Sequence, residues 1–198
     1  MIRCVAAVAV FMFCAVAPVG AQETRAAIFA GGCFWCVESD FDNVPGVVST
    51  VSGYSGGTLE NPTYQNHEGH REVVRIEYDP SKVDYATLLR VFFRSVDPTD
   101  AGGQFCDRGH AYTTAIYVAS SDEKAVAERA KAEAEKQLGK PVVTPIERAG
   151  TFWPAEGYHQ DYYRKNPLRY RYYRYACGRD ARIEDLWGDA AHEGIAAH

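Results

Sequence analysis

The hydrophobic positions of this chain change period several times, and each change marks an element. Ala26-Ala27-Ile28-Phe29-Ala30 is an unbroken apolar run, which predicts a buried strand over 26–30. Gly31-Gly32 ends it and lets the backbone turn sharply. Phe34, Val37 and Phe41 then recur at helical spacing, predicting a helix from Cys33 to Asn43 that Pro45-Gly46 breaks. Residues 47–52 read as a strand of imperfect alternation. In 71–78, Val74, Ile76 and Tyr78 alternate with charged neighbours, the pattern of a half-buried strand. Tyr85, Leu88, Leu89 and Phe92 predict a helix over 84–94. Residues 112–119 read as a strand. Ser120 to Glu123 forms a capping box for a helix that ends at Leu138, with Val126, Ala130, Ala134 and Leu138 as its apolar stripe. A last strand is expected over 142–147. The remainder, 151–198, is aromatic, basic and weakly periodic, and is expected to wrap the core.

Strands and helices thus alternate, but no helix separates the strands at 47–52 and 71–78. Two consecutive strands without a crossover predict a mixed α+β sheet instead of an all-parallel one. Two long loops, 53–69 and 97–110, are rich in Gly, Asn and Pro, and loops of that length in a compact domain commonly carry function.

The first residues have a different pattern. Met1-Ile2-Arg3 is a short basic start, Cys4 to Ala17 is apolar, and Val19-Gly20-Ala21 is a small-residue cleavage site. Residues 1–21 read as a cleavable secretory signal peptide, too short for a comfortable membrane span. Export to the periplasm or medium of a bacterium is expected, with 22–198 as one domain. Without Arg3 the mature chain has 20 basic and 26 acidic side chains, a charge of −6, which argues against nucleic acid as the main partner. A domain of this length buries a core without disulfide staples. Of the four cysteines left after cleavage, Cys33, Cys36, Cys106 and Cys177, at least one pair is therefore free for chemistry.

The candidate chemistry centres on Gly31-Gly32-Cys33-Phe34-Trp35-Cys36. A thiol at a helix N-terminus meets free N–H groups and the positive end of the dipole, which favour the thiolate. Cys36, at i+3, lies on the same helix face, within disulfide range. Phe34 and Trp35 give an apolar aromatic wall suited to a methyl or thioether group. Proton donors are offered by Tyr64 with Glu72, and by Asp107 with Tyr112. A carboxylic acid kept protonated by burial and flanked by tyrosines binds a polar oxygen and delivers a proton to it. Other readings are weaker. A Cys4 zinc site lacks a second close pair. His67, Glu68, His70 and Glu72 resemble metal ligands but lie in a polar loop. The run Arg169 to Tyr175 interleaves basic and aromatic residues, which in an acidic exported chain reads as a surface helix face or a docking patch for a reductant.

Gly31-Cys33-Phe34-Trp35, Gly53-Tyr54-Ser55-Gly56-Gly57, Asn61-Pro62-Thr63-Tyr64, Gly69-His70 with Glu72, Tyr78-Asp79-Pro80, Asp97-Pro98-Thr99 and Ala155-Glu156-Gly157-Tyr158-His159-Gln160 together resemble, in order, the motifs of the peptide methionine sulfoxide reductase A family. The resemblance runs from about residue 26 to 168. It implies a two-layer α+β sandwich, ferredoxin-like in type, with the aromatic C-terminal segment over the core. It implies Cys33 as nucleophile, Glu72 as the acid toward the sulfoxide oxygen with Tyr64 and Tyr112 as hydroxyl partners, and Phe34, Trp35, Asp107 and His159 at the substrate. It further implies reduction of the S epimer in free methionine and in oxidised peptides and proteins. Recycling would come from thioredoxin or another dithiol, with no bound cofactor and no metal, in a chain expected to be monomeric. Many family members have Gly at the position of Cys36 and place resolving cysteines near the C-terminus. Here Cys36 is expected to resolve first, since no loop must swing in, Cys177 acts second or passes the disulfide onward, and Cys106 is left without a role. The competing readings are a thioredoxin-like disulfide oxidoreductase, and an exported binding module whose cysteines form structural disulfides.

Overall fold

The computed structural model describes residues 23–196; the predicted signal segment, 1–21, lies outside them. The strands are β1 (Arg25–Gly31), β2 (Val47–Ser55), β3 (Arg71–Tyr78), the short pair β4 (Gly103–Gln104) and β5 (Asp107–Arg108), β6 (Thr114–Val118), β7 (Ile146–Arg148) and β8 (Trp153–Pro154). The helices are α1 (Phe34–Asp42), α2 (Tyr85–Phe93), α3 (Ser121–Leu138), α4 (Tyr162–Lys165), α5 (Pro167–Ala176) and α6 (Arg179–Trp187). One mixed sheet runs β7-β6-β1-β3-β2-β8. Its pairs are antiparallel except β6 with β7. The expected mixed α+β architecture is thus the observed one.

Strand periodicity divides the two faces. Phe29, Val74, Ile76, Tyr78 and Ile116 point into the main core with Phe34, Val37 and Phe41 of α1, Leu88, Leu89 and Phe92 of α2, and Ala127 and Ala134 of α3. Ala30, Val73, Ala115 and Tyr117 point the other way into a smaller cluster under Ala149 and Phe152. The same parity puts Glu72 on the helix side, in line with Val74 and Ile76, so a carboxyl is aimed into the apolar layer.

Local chemistry sets the element ends. The Asp84 side chain accepts the Thr87 N–H at 2.7 Å and starts α2. Ser120 accepts from Glu123 N, and Glu123 in turn accepts the Ala119 N–H. Gly139, at φ 60°, closes α3 in the left-handed region. Two expected strands are shorter than their patterns. Residues 110–112 form a 3-10 turn before β6, and 142–145 are irregular ahead of β7. Pro145 has no N–H for a ladder, and the Val143 N–H is given to the Pro98 carbonyl.

The largest departure is in the C-terminal quarter, which is helical where weak periodicity predicted only a wrap. Its buried face carries Arg174 and Arg179 between Tyr170, Ile183 and Trp187, so no apolar stripe marks it. Arg174 pairs with Asp40 of α1 at 2.7 Å and bonds Asp180. Arg179 donates to the carbonyls of Ser95 and Gly31. α5 and α6 are thereby tied to the core next to the strand end that launches Cys33.

Candidate active site

Cys33 is the N-cap residue of α1, so the helix begins one residue later than its pattern suggested. Gly32 makes the turn at φ 81°, and a Cβ there would stand 2.5 Å from Cβ of Gln104. That contact matters because Gln104 is a clasp: its amide accepts from Asp97 N and donates to the Asp97 carbonyl, each at 2.8 Å. The clasp fixes the β4–β5 hairpin, and with it Asp107, over the start of α1.

Glu72 sits 1% exposed with its Oε2 accepting the Phe34 N–H at 2.9 Å. Burial pushes its carboxyl up to about 8; the Phe34 N–H opposes this and the neighbouring Asp107 adds to it. Glu72 is therefore a neutral acid at pH 7. Across the β2–β3 ladder it faces Tyr54, whose hydroxyl donates to Glu156 Oε2 at 3.1 Å. Glu156 Oε1 accepts the Tyr64 N–H at 2.9 Å, which holds the 53–69 loop against the site. The Tyr64 hydroxyl is hydrogen-bonded to that of Tyr112, and burial raises both phenols.

The two thiols are buried and free. Burial raises Cys33 well above its ordinary range, helped by the Cys36 sulfur and Glu72. Cys36 is lowered to about 7, first by the hydrogen bond that Cys33 donates to it and then by the guanidinium charges of Arg179 and Arg174. Burial thus works against a thiolate on Cys33, while the hydrogen bond and the two guanidinium charges favour one on Cys36. The physical reason is local: Glu72 has taken the first free N–H of the helix, and Cys33 is shut away from water.

The aromatic wall divides in two. Phe34 is a core ring, 1% exposed, against Tyr54 and His159, so it floors the site. Trp35 stands at the rim, stacked on Tyr162 at 3.7 Å between ring centroids. Its Nε1–H donates to His159 Nδ1 at 3.0 Å. Burial lowers His159, so that ring is neutral. Tyr173 meets Trp35 edge-on; its hydroxyl donates to Asp107 Oδ2 and touches the Cys33 thiol.

The structure therefore brings Cys33, Cys36, Glu72, Tyr64, Tyr112, Phe34, Trp35, Asp107 and His159 to one place. Cys177 is bonded to Cys106, Cα–Cα 4.9 Å, so Cys106 has a partner where the sequence left it without a role, and Cys177 is not a free thiol. The four polar loop residues do not gather as ligands: His70 Nδ1 accepts from Gly57 and Nε2 donates to the Leu59 carbonyl, while His67 bonds the Thr63 carbonyl. Sequence reasoning gave no role to Tyr54, Tyr162, Tyr173, Glu156 or the Arg174–Asp40–Arg179 cluster. Tyr54 and Glu156 stood within quoted motifs, and only the sheet register puts Tyr54 opposite Glu72.

A buried thiol pair, a neutral carboxylic acid and an aromatic rim define a thiol-dependent oxidoreductase that takes oxygen from an apolar, methyl-bearing group. The family model described as peptide methionine sulfoxide reductase matches residues 25–191. The chain is 58% identical over 180 residues to peptide methionine sulfoxide reductase MsrA 2 of Rhizobium meliloti, covering 90% of this chain and 91% of that one. Methionine sulfoxide reductase A of Corynebacterium diphtheriae superposes with a TM-score of 0.68 at 33% identity, covering 75% and 78%. Mxr1 of Saccharomyces cerevisiae, solved in complex with Trx2, superposes with a TM-score of 0.51 at 22% identity, covering 71% and 85%, a likeness of fold. The chain belongs to the peptide methionine sulfoxide reductase family, in its MsrA branch, and reduces methionine sulfoxide.

Proposed function

We propose that Cys33 is the atom that attacks the sulfoxide sulfur, that Glu72 delivers the proton to the sulfoxide oxygen, and that Cys36 resolves the product. As Cys33 attacks, its proton passes to the Cys36 thiolate. Glu72 protonates the oxygen; the hydroxyl then passes to the Cys33 sulfur as the methionine S–O bond and the transient bond between the two sulfurs break, so that methionine leaves and Cys33 is a sulfenic acid. Cys36 then attacks that sulfur; a disulfide forms and water leaves. Tyr64 and Tyr112 hold the oxygen on its way to Glu72, and the S-methyl group lies against Phe34 and Trp35. With the acid on one side and the rings on the other, a single epimer is the expected substrate, and the family resemblance points to the S epimer. The observation that carries the reading is the neutral Glu72 hydrogen-bonded to the N–H of Phe34, next to the nucleophile.

A dithiol protein of the thioredoxin kind is the reductant this reading calls for, and Mxr1 in complex with Trx2 supports it. Oxidised exported proteins are the expected substrates, on the strength of the 1–21 segment. The test uses the purified protein, dithiothreitol and the two epimers of a methionine sulfoxide peptide. Reduction of the S epimer alone, abolished by Cys33→Ser, is expected. Equal turnover of both epimers, or an active Cys33→Ser enzyme, would refute it, and faster reduction of insulin disulfides than of sulfoxide would favour a disulfide oxidoreductase.

A further inference from the structure

Glu38 is a buried carboxyl, 1% exposed, that the chemistry above does not use. Trp35, Glu38 and Asp42 follow one another on α1 at i, i+3 and i+7 and so share one edge of the helix. That edge faces the segment 160–164. Trp35 stacks on Tyr162. Both oxygens of Glu38 accept the Asp161 N–H at 3.2 Å. Asp42 Oδ2 accepts the Tyr163 hydroxyl at 2.8 Å and pairs with Arg164 at 3.3 Å. The same segment is tied to β2 through Gln160, whose amide accepts the Ser52 N–H and donates to the Ser52 carbonyl, each at 2.9 Å.

The bond from Glu38 falls where the segment turns. Asp161 has φ 53°, in the left-handed region that non-glycine residues enter rarely. It is the N-cap residue of α4, and its carbonyl accepts the N–H groups of Arg164 and Lys165. A helix of four residues does not hold itself in water, so the direction of its first residue, Tyr162, depends on what holds Asp161. Burying a carboxyl is costly unless it is hydrogen-bonded, and Glu38 meets that condition on a backbone N–H 123 positions away. The ring that this bond directs covers one face of the Trp35 indole, with the two planes 6° apart. A single indole face is then left for a methyl group.

We propose that Glu38 is a positioning residue for sulfoxide reduction: by holding the Asp161 N–H it seats Tyr162 on Trp35, and so fixes the indole wall against which the S-methyl group of the substrate lies. This rests on the reading of Trp35 as that wall given above. The static alternative is a bond that only ties the C-terminal quarter to α1 and contributes to stability alone.

The two differ in kinetics and in coupling. kcat and KM are measured with dithiothreitol and a methionine sulfoxide peptide, beside a thermal melt, for the parent enzyme, Glu38→Ala, Glu38→Gln, Tyr162→Ala and the Glu38→Ala/Tyr162→Ala pair. Glu38→Ala should lower kcat/KM by up to about 10²-fold, the scale of a positioning loss, and mainly through KM. Glu38→Gln keeps an oxygen for the Asp161 N–H and should recover most of that loss. Because Glu38 acts through Tyr162, the double variant should be no worse than Tyr162→Ala alone. The parent KM in Glu38→Ala or in Tyr162→Ala, or two losses that add in full, overturns the proposal. Where Glu38→Ala fails to fold, Glu38→Asp, one methylene short of the N–H, carries the same expectation, and the parent KM there overturns it equally. Trp35→Ala with the parent KM would overturn the wall itself, and the proposal with it.

Discussion

Glu72 caps the helix that carries the nucleophile: its Oε2 accepts the Phe34 N–H at 2.9 Å, the first of the helix N–H groups that have no partner within the helix. The N-cap side chain here is the Cys33 thiol, which makes no such bond. One carboxyl therefore closes the helix and supplies the acid. Glu72→Gln keeps an oxygen for the Phe34 N–H but has no proton to give. Its turnover should fall by about 10²–10⁴-fold with the fold retained, measured as sulfoxide reduction beside a circular dichroism spectrum. Turnover within a few-fold of the parent enzyme would remove Glu72 as the acid.

The pH dependence follows from the same two sites. Cys36, near 7, must be ionised to take the Cys33 proton, and Glu72, near 8, must be protonated to give its own. kcat/KM should rise through about 7 and fall through about 8, a narrow bell. Glu72→Gln should lose the alkaline fall. Stability has its own sign. Glu72 binds its proton more tightly folded than unfolded, so its contribution is full below the ordinary 4.5 and declines as pH rises toward about 8. The melting temperature of Glu72→Gln relative to the parent should therefore increase between pH 5 and 9. A difference that is flat with pH would contradict the buried, neutral assignment.

The parts of this molecule with a simple period were legible in the sequence. The alternation of Val74, Ile76 and Tyr78 fixed the side on which Glu72 lies, and the spacing of Phe34, Val37 and Phe41 fixed the face of α1. Three kinds of feature were not legible. α5 and α6 bury Arg174 and Arg179, so their inward faces look like surface. The run Arg-Tyr-Arg-Tyr-Tyr-Arg-Tyr gives no sign that Tyr170 and Arg174 are inside, that Tyr173 reaches Cys33, or that Tyr172 and Tyr175 are exposed. The thiolate site also escaped, since dipole reasoning from the helix start could not count Glu72 as the group already occupying the first N–H. The Cys106–Cys177 pairing depends on a hairpin whose anchor, Gln104, binds through its amide to Asp97 backbone and not through any periodic contact.

Trp35 and His159 form a couple that shapes the rim. The indole N–H donates to a neutral imidazole, while the indole face rests on Tyr162. Trp35→Phe keeps a ring for stacking and removes the donor, leaving His159 Nδ1 buried and unpaired. The loss of about 1–3 kcal/mol for such an acceptor should appear as a lower melting temperature, and the loosened rim as a higher KM with kcat changed less. A fall in kcat at constant KM would assign Trp35 to the chemical step instead of to binding.

Arg174 holds Asp40, which is fully buried, at 2.7 Å, and receives Asp180 on its outer side. Removing it takes away the nearer of the two guanidinium groups at Asp40, Arg179 standing at 3.7 Å. Arg174→Met should destabilise the protein by about 3–5 kcal/mol, the cost of breaking a buried pair from one side, read from urea denaturation. Asp40→Asn in the same background should recover part of that loss. Full stability in Arg174→Met would mean that the cluster contributes little and that α5 is held by its aromatic contacts.

Cys36 is the last test, because it separates attack from resolution. In Cys36→Ser the Cys33 thiol still sits beside Glu72 and Tyr173, so one sulfoxide per chain is reduced, slowly, without the thiolate that takes up the proton. The sulfenic acid then has no neighbour at i+3 to condense with. It should persist and be captured by a cyclic 1,3-dione, adding one label at Cys33 by mass spectrometry. The parent enzyme under the same conditions should give a disulfide and no label. A Cys33–Cys177 bridge in Cys36→Ser, formed as fast as the parent's disulfide, would show instead that the Cys106–Cys177 bond opens to the nucleophile directly.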